Sequence, residues 1–185
     1  KTTNDLRIQE YNMLRLSSQI AAEDYIDIRF RMPSGEDYIV VSKKKVEIPQ
    51  IDGVDSATTI WLQLTEDEIL TMSNAIVENY MIEGSVLYTA KYVEPGTQEK
   101  ATPTYVPSEA VQNLLRNNDS NILNTAKLAL LTRYQGNSDV RNNINNTKNS
   151  IDPDDVATNI STGVKQEVST AQEQRQDYLD ALSGK

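Results

Sequence analysis

The spacing of apolar residues predicts short strands in the first part of the chain. Ile26, Ile28 and Phe30 alternate with charged residues, and a turn at residues 33–35 separates this run from a second one at 38–41. Alternation with a period of two predicts half-buried strands, and the Pro-Ser-Gly turn predicts that the two strands form a hairpin. The stretches "KVEIPQI" and "TTIWLQL" predict two more strands.

A helix interrupts these strands. Thr65 and Glu68 have the spacing of a capping box, in which the hydroxyl and the carboxylate each satisfy a backbone N–H at the start of a helix. Gly84 is expected to end this helix, and "SVLYTAKYV" then predicts a final strand. The helix has an apolar stripe that consists of Ile69, Met72, Ala75, Ile76 and Tyr80.

The first twenty residues support two interpretations. Leu6 and Ile8 alternate with polar residues as in a strand, whereas Leu14, Ser17 and Ile20 follow the spacing of one face of a helix. We expect a helix here, with a strand as the alternative.

A region with helical spacing follows a stretch without periodicity. Two prolines in residues 96–107 predict a linker. Beyond it we expect two helices that pack as a hairpin, the first capped by Ser108, the second starting near Ile122 and Leu123 and ending at Gly136.

The predicted fold class is therefore α+β. A small antiparallel β-sandwich-like domain with an inserted helix occupies residues 1–95, and a helical carboxyl-terminal region follows it. That region comprises the linker at 96–107, the helical hairpin at 108–136 and an extended helical arm at 137–185.

The predicted arm has few apolar residues, but they recur every three or four positions. The series is Val140, Ile144, Thr147 and Ile151 before Pro153, and Val164, Val168, Ala171, Arg175, Tyr178 and Leu182 after it. Alternating steps of three and four place a narrow seam on one side of a helix, which is typical of helices that pack against a partner helix. The alternative is a disordered terminal tail, which the polar composition favours.

Composition narrows the classes of function. The chain has 185 residues, a net charge of -9, and neither His nor Cys. The commonest general base, the thiol nucleophile and most zinc or haem ligands are therefore missing, so we expect no enzyme and no cofactor. The negative charge argues against binding to nucleic-acid phosphates. Since no apolar run is long enough to span a membrane, we expect no membrane partner.

Two acidic clusters have the composition of a metal or acid-base site. "DPDD" at 152–155 begins like a calcium loop, but Val156 and Ala157 stand where a further ligand and a glycine are required. This cluster and Glu66–Glu68 are better explained as acids in the first turn of a helix, where the helix dipole favours negative charge. The sequence thus predicts neither metal ligands nor catalytic residues.

The order of elements resembles that of a family of small β-sandwich modules. Two strands joined by a turn, then "TTIWLQLTEDEI", a helix and "GSVLYTAKYV", resemble the docking modules of tailed-phage virion proteins such as baseplate upper proteins and head-fibre proteins. The residues that carry this resemblance are Ile60, Leu62, Leu64, Thr65, Glu68, Gly84 and Tyr88. The resemblance implies a non-enzymatic structural component of the virion, assembled in the host cytoplasm, that acts as a head-fibre or decoration protein or as a neck or baseplate adaptor.

The expected partners are further copies of the chain and other virion proteins, namely capsid, portal or baseplate proteins. The alternative function is that of a monomeric module that binds a peptide or a carbohydrate through its β domain and has a disordered tail. The expected interface residues are Trp61 and Tyr88 in the docking domain and Val164, Val168, Ala171, Tyr178 and Leu182 along the helical seam.

Overall fold

A computed structural model describes residues 2–117 and 124–184 of the chain. In chain order the elements are β1 (Arg7–Tyr11), β2 (Tyr25–Arg31), β3 (Asp37–Lys45), β4 (Gln50–Ile51), β5 (Val54–Asp55), β6 (Ile60–Leu64), α1 (Glu66–Met81), β7 (Val86–Lys91), α2 (Glu109–Arg116), α3 (Asn124–Gly136), α4 (Ser138–Asn149) and α5 (Pro153–Leu182).

Two small antiparallel sheets and a short two-stranded hairpin form the β part of the described chain. β2 pairs with β3 on one side and β7 on the other, and β1 pairs with β6. An isolated bridge between Glu47 and Trp61 joins the chain after β3 to β6, and β4 pairs with β5 in a short hairpin. Side chains of both sheets share one hydrophobic core, which contains Ile28, Phe30 and Leu62. These antiparallel sheets and the long carboxyl-terminal helix confirm the α+β class.

The predicted hairpin and the strand before the helix are confirmed. Ile60, Leu62 and Leu64 point together into the core, as their alternation predicts. Within the stretch "KVEIPQI", Lys45 ends β3, Glu47 forms a single bridge, and Gln50–Ile51 form the two-residue strand β4. Pro49 stands between them and has no N–H to donate, so a continuous strand cannot form there.

The capping box of α1 is present. The N–H of Thr65 donates to Glu68 Oε1 at 3.1 Å, and α1 starts at the next residue, Glu66. Met72 and Ala75 are completely buried against the sheets. The apolar stripe therefore faces the core, as predicted.

The expectation of a helix in the first twenty residues is wrong. Residues 7–11 form β1, which pairs with β6, and the backbone of Arg15 bonds to that of β7 at Leu87 and Thr89. Leu14 is buried without helical structure. Pairing with two existing strands satisfies the backbone groups of this segment and outweighs its weak helical spacing.

The segment predicted as a linker is packed against the β domain. Residues 98–107 contain no helix or strand, but the N–H groups of Thr104 and Tyr105 both donate to the carbonyl of Ile39 on β3. Tyr105 and Val106 are buried. This segment covers the open edge of β3, so it does not separate two independent domains.

The helices α2 and α3 contact each other and share a second hydrophobic cluster with Val106, Leu115, Leu130 and Tyr134. Ser108 caps α2, because its side chain accepts a hydrogen bond from the N–H of Val111. The predicted helix start at Ile122 and Leu123 lies outside the described residues.

The helix α4 belongs to the body of the molecule, which corrects the prediction of an extended arm from residue 137. Ile144 is fully buried in the main core, and Val140 and Ile151 pack against that core. The series before Pro153 is thus a core stripe. The spacing of apolar residues along a helix is the same whether the helix packs against its own domain or against another subunit, so the spacing alone does not distinguish the two cases.

A buried group of charges joins α4 to α1. The carboxylate of Glu78, on α1, accepts bonds from Arg141 at 2.5 and 3.2 Å and from Lys148 at 2.9 Å. The hydroxyl of Tyr105 donates to the same carboxylate, and Arg141 also donates to the carbonyl of Val106 at 3.1 Å. Glu78 and Arg141 are both buried. A buried carboxylate requires such partners, because it has lost its hydration.

Among the residues that the structure describes, no helix combines the length and the apolar character needed to cross a membrane.

Replacement of Glu78 by Gln should lower the free energy of unfolding by about 3 kcal/mol or more, since Arg141 then remains buried without its counter-charge. Urea denaturation measures this loss. Glu99→Gln, an exposed position, is the matched control and should change stability by less than about 0.5 kcal/mol. Equal midpoints for the two variants would show that the buried group does not hold α1 and α4 together.

Candidate functional site

The helix α5 carries five of the seven residues that the sequence predicts for an interface. Asp152 caps it by accepting a hydrogen bond from the N–H of Asp154 at 2.8 Å, and Pro153 occupies its first turn. Proline suits this position because the first helical N–H groups have no partner in the helix. With 30 residues, α5 is roughly 45 Å long.

One face of α5 rests on the body of the molecule through polar contacts. Tyr80 donates to the carboxylate of Glu167 at 2.7 Å, and the side-chain amide of Asn12 donates to the backbone carbonyl of Glu167 at 2.9 Å. Further along, the Gln174 side chain accepts bonds from Ser56 at 3.1 Å and Thr59 at 3.4 Å. We call the surface formed by Asn12, Ser56, Thr59 and Tyr80 the α5 seat.

A glycine allows α5 to approach this seat closely. A Cβ atom at Gly163 would lie less than 3.0 Å from three atoms of the Tyr80 ring. Glycine inside a helix costs about 1 kcal/mol relative to alanine, so it is usually found where contact requires it. The approach of α5 to α1 at Tyr80 is such a contact.

Four aliphatic residues of α5 lie on an exposed side of the helix. Val164, Val168, Leu179 and Leu182 have 42, 47, 40 and 68% of their surface exposed, and they form what we call the outer strip. Successive residues of an α-helix are about 100° apart around its axis. The outer strip therefore lies roughly a quarter turn around α5 from the face that carries Gly163 and Glu167. A surface helix normally directs its apolar side inward. In α5 the face towards the body carries polar and small residues together with the half-buried Val156 and Ile160, while four other aliphatic residues remain exposed beside that face.

The predicted seam is divided between two surfaces. Val164, Val168 and Leu182 lie in the outer strip, whereas Ala171 and Tyr178 line a groove between α5 and the β domain. The seam is divided because its residues spread over more of the circumference of α5 than the face that contacts the body. Ala171 is half-buried, while 45% of the surface of Tyr178 remains exposed.

Trp61 lines the same groove and so lies beside two of the predicted seam residues. We call this space, of about 300 Å³, the Trp61 groove; its walls also include Pro49, Ile51 and Arg175. The indole N–H of Trp61 donates to Glu10 at 3.0 Å, and the Arg175 guanidinium lies 5.9 Å from the centre of the Tyr178 ring. The structure thus brings Trp61, Ala171 and Tyr178 together.

Tyr88, the other residue predicted for the docking surface, lies on the other sheet in a polar cluster. Its hydroxyl donates to Asp37, which also accepts from Arg29 Nε at 2.7 Å, and the Arg31 guanidinium lies 5.8 Å from the centre of its ring. Burial, followed by the hydrogen bond to Asp37, raises the pKa of Tyr88. Tyr88 therefore makes these polar contacts with residues of its own sheet.

The acidic residues of α1 have structural partners. Asp67 accepts a bond from the Thr65 hydroxyl at 2.7 Å, and Glu68 forms an ion pair with Lys44 at 2.5 Å. Burial raises the pKa of Asp67. In residues 2–117 and 124–184 no group of three or more acidic side chains is arranged to hold a metal ion.

Sequence reasoning missed three residues that position α4 and α5. Glu78 and Arg141 fix α4, and Gly163 permits the close contact with Tyr80. The glycine inside a helical pattern was a usable signal, because such a residue usually has a packing reason. A single glutamate on α1 gave no such signal.

Gly163→Ala should weaken the docking of α5 although alanine favours helices, because the new methyl group displaces the Tyr80 ring. Trp61, the sole tryptophan, borders α5 and serves as a fluorescence reporter of docking. Its emission should shift to longer wavelength while the helical circular dichroism is retained.

Gly136→Ala is the matched control for this experiment, since no atom lies within 4 Å of the position of its Cβ. It should leave the emission unchanged. In the double variant Gly163→Ala with Tyr80→Ala, the two effects should not add, because the ring that causes the clash is gone. An unchanged Trp61 emission in Gly163→Ala would contradict the close contact.

Docking of α5 should weaken as the pH rises above about 10. Burial, and then the hydrogen bond to Glu167, raise the pKa of Tyr80 above its ordinary value of 10.0. The docked state therefore retains the proton while the released state loses it, so alkaline pH favours release. A fluorescence titration of Trp61 should show an alkaline transition that differs between the unaltered chain and Tyr80→Phe, and identical titrations would rule out this role of Tyr80.

Comparisons with protein-family models, with curated proteins and with solved structures found no match to this chain. The surfaces of α5 and the Trp61 groove are therefore the basis for any statement about function.

Proposed function

We propose that this chain is a non-enzymatic structural protein that assembles with further copies of itself through the outer strip of α5. The observation that carries this proposal is the exposure of four aliphatic residues of α5, the outer strip, beside the face that makes polar contacts with the body. An exposed apolar strip on a long helix is typical of a surface that a partner covers.

The position of the outer strip supports contact between copies. Val164 and Val168 are one turn apart, and Leu179 and Leu182 form a second pair about three turns further on, with Arg175 between the two pairs. Two such helices can bring these pairs into contact, because α5 is a single uninterrupted helix. A symmetric homo-oligomer is the simplest assembly that covers this surface on every copy.

We further propose that the assembly is part of a tailed-phage virion, as a head-fibre or decoration protein or as a neck or baseplate adaptor. The basis is the resemblance of the β domain to virion docking modules, together with a helix that is available for assembly. The Trp61 groove is then the proposed contact with capsid, portal or baseplate proteins. Genes for such proteins beside the gene for this chain would support this part of the proposal, and neighbours of unrelated kinds would oppose it.

The Trp61 groove also favours the alternative function. Its aromatic side chains, Trp61 and Tyr178, stand beside Glu10 and Arg175, and such a combination is suited to a peptide or a carbohydrate. The disordered tail of that alternative is not observed, since residues 153–182 form α5. A monomer at every concentration, with a ligand that quenches Trp61, would favour this second function.

The test of self-assembly is the substitution Val168→Asp. Light scattering across a concentration series should give an oligomer for the unaltered chain and a large shift towards monomer for Val168→Asp, because the charge lies in the middle of the outer strip. Ser169→Asp adds the same charge outside the strip, at an exposed position, and should leave the mass unchanged.

Two outcomes would end this proposal. One is a monomer for the unaltered chain at all concentrations, and the other is an oligomer that Val168→Asp leaves intact. A truncation that ends at Asp152 is a second test, because it removes α5 and retains Arg141 and Ile144 in the core. A truncation at Gly136 would remove those residues and destroy the body.

A further inference from the structure

The hydrophobic core is complete without α5. Neither hydrophobic cluster contains a residue of α5 within the described part of the chain, and none of the 30 residues of α5 is fully buried. The last residue that packs against the main core is Ile151, just before the cap Asp152. Removing α5 from its seat therefore opens no cavity in the core.

Most hydrogen bonds between α5 and its seat can be replaced by bonds to water. Glu167 and Gln174 make them with the partly exposed Tyr80, Asn12 and Ser56, and only the bond from Thr59 to Gln174 comes from a buried residue of the seat. Released side chains of this kind form hydrogen bonds with solvent, so each contact contributes little net stability, on the order of 1 kcal/mol. Release is thus far easier for α5 than for α4, whose Arg141 is buried against Glu78.

The connection between α4 and α5 provides a hinge. α4 ends with Ser150 as its cap, and Asp152 has an extended backbone, with ψ at 129°. Pro153 cannot continue α4, because a proline disfavours helical backbone in the residue before it. The start of α5 is fixed by its own cap, so α5 can change direction at residues 150–152 and remain a helix.

From these observations we infer that α5 is exchanged between copies of this chain, so that the α5 of one copy occupies the seat of another. The inference rests on the proposed self-assembly and specifies its geometry. The occupant is a second copy because the seat is already complementary to α5. In the seat, the Tyr80 ring packs where Gly163 of α5 has no side chain, and Tyr80 and Ser56 donate hydrogen bonds to Glu167 and Gln174.

The outer strip gives exchange a driving force. Within one chain α5 returns to its own seat, because the short connection keeps it close. Contact between two outer strips holds two copies together and places the second seat within reach of each hinge. An exchanged α5 makes the same seat contacts as an α5 that rests on its own chain. The exchanged and unexchanged arrangements therefore differ mainly at residues 150–152.

Cross-linking between two single-cysteine variants tests the exchange directly, since the chain has no native Cys. Ala57 and Asp177 are exposed residues that line one cleft between the body and α5, and neither makes the seat contacts described above. Ala57→Cys and Asp177→Cys chains, one of them isotope-labelled, are unfolded, mixed, refolded at a concentration that gives oligomers, and treated with a short bis-maleimide. Exchange predicts a cross-link between residue 57 of one chain and residue 177 of the other, identified by mass spectrometry.

The double variant Ala57→Cys with Asp177→Cys, treated at high dilution, should cross-link within one chain and so shows that the reagent spans the cleft. Ala57→Cys mixed with Ser169→Cys is the negative control, because Ser169 is exposed, lies outside the outer strip and is about two turns of α5 away from Asp177. If the double variant closes within one chain and the mixture gives no more 57–177 product than this control, α5 is not exchanged.

Light scattering on the same mixture separates this inference from the proposed function. An oligomer without the 57–177 product overturns exchange and leaves self-assembly standing. A monomer overturns both. An oligomer that yields the product supports both.

Discussion

The arrangement of this molecule depends on one buried carboxylate. Glu78 lies on α1, and three groups from other parts of the chain converge on it: Arg141 and Lys148 from α4 and Tyr105 from the segment that covers β3. A buried ion pair is costly to form, and breaking it leaves an uncompensated charge, so the positions of its members are strongly specified. The apolar contacts of the core provide much of the driving force for folding. The charges at Glu78 select one position for α4 among those that the core alone would permit.

The position of α4 determines where α5 begins, and this is the link between the buried charges and the exposed strip. Ile151 rests on the core, Asp152 caps α5, and Pro153 prevents the two helices from merging. α5 then meets the body through the contact of Gly163 with Tyr80, a few hydrogen bonds and the half-buried Val156 and Ile160. The same placement of α5 leaves the four aliphatic residues of the outer strip exposed. The exposure of the outer strip therefore follows from the position of α4 and from where α5 begins.

Local signals in the sequence predicted the elements that depend on neighbouring residues. The capping box at Thr65 and Glu68 and the alternation of the paired strands required no knowledge of distant contacts. Contacts distant in sequence were not predictable in this way. A spacing of three and four describes Val140 and Ile144 as well as Val164 and Val168, yet the first pair packs on or in the core and the second pair is exposed. The periodicity of a sequence predicts which side of a helix is apolar, but it does not predict which surface packs against that side.

The Trp61 groove connects the two proposed properties of α5. One wall belongs to the body and includes Trp61 and Pro49, and the other belongs to α5 and includes Tyr178. The groove therefore exists only while a helix occupies the seat, whether that helix comes from the same chain or from another. A partner that fills the groove stabilises the seated helix to an extent set by its concentration and its affinity, because it binds only that state. In an exchanged assembly the two walls come from different copies, so each boundary between copies carries a groove that one chain cannot form alone. Assembly would then create the contact surface for the next component.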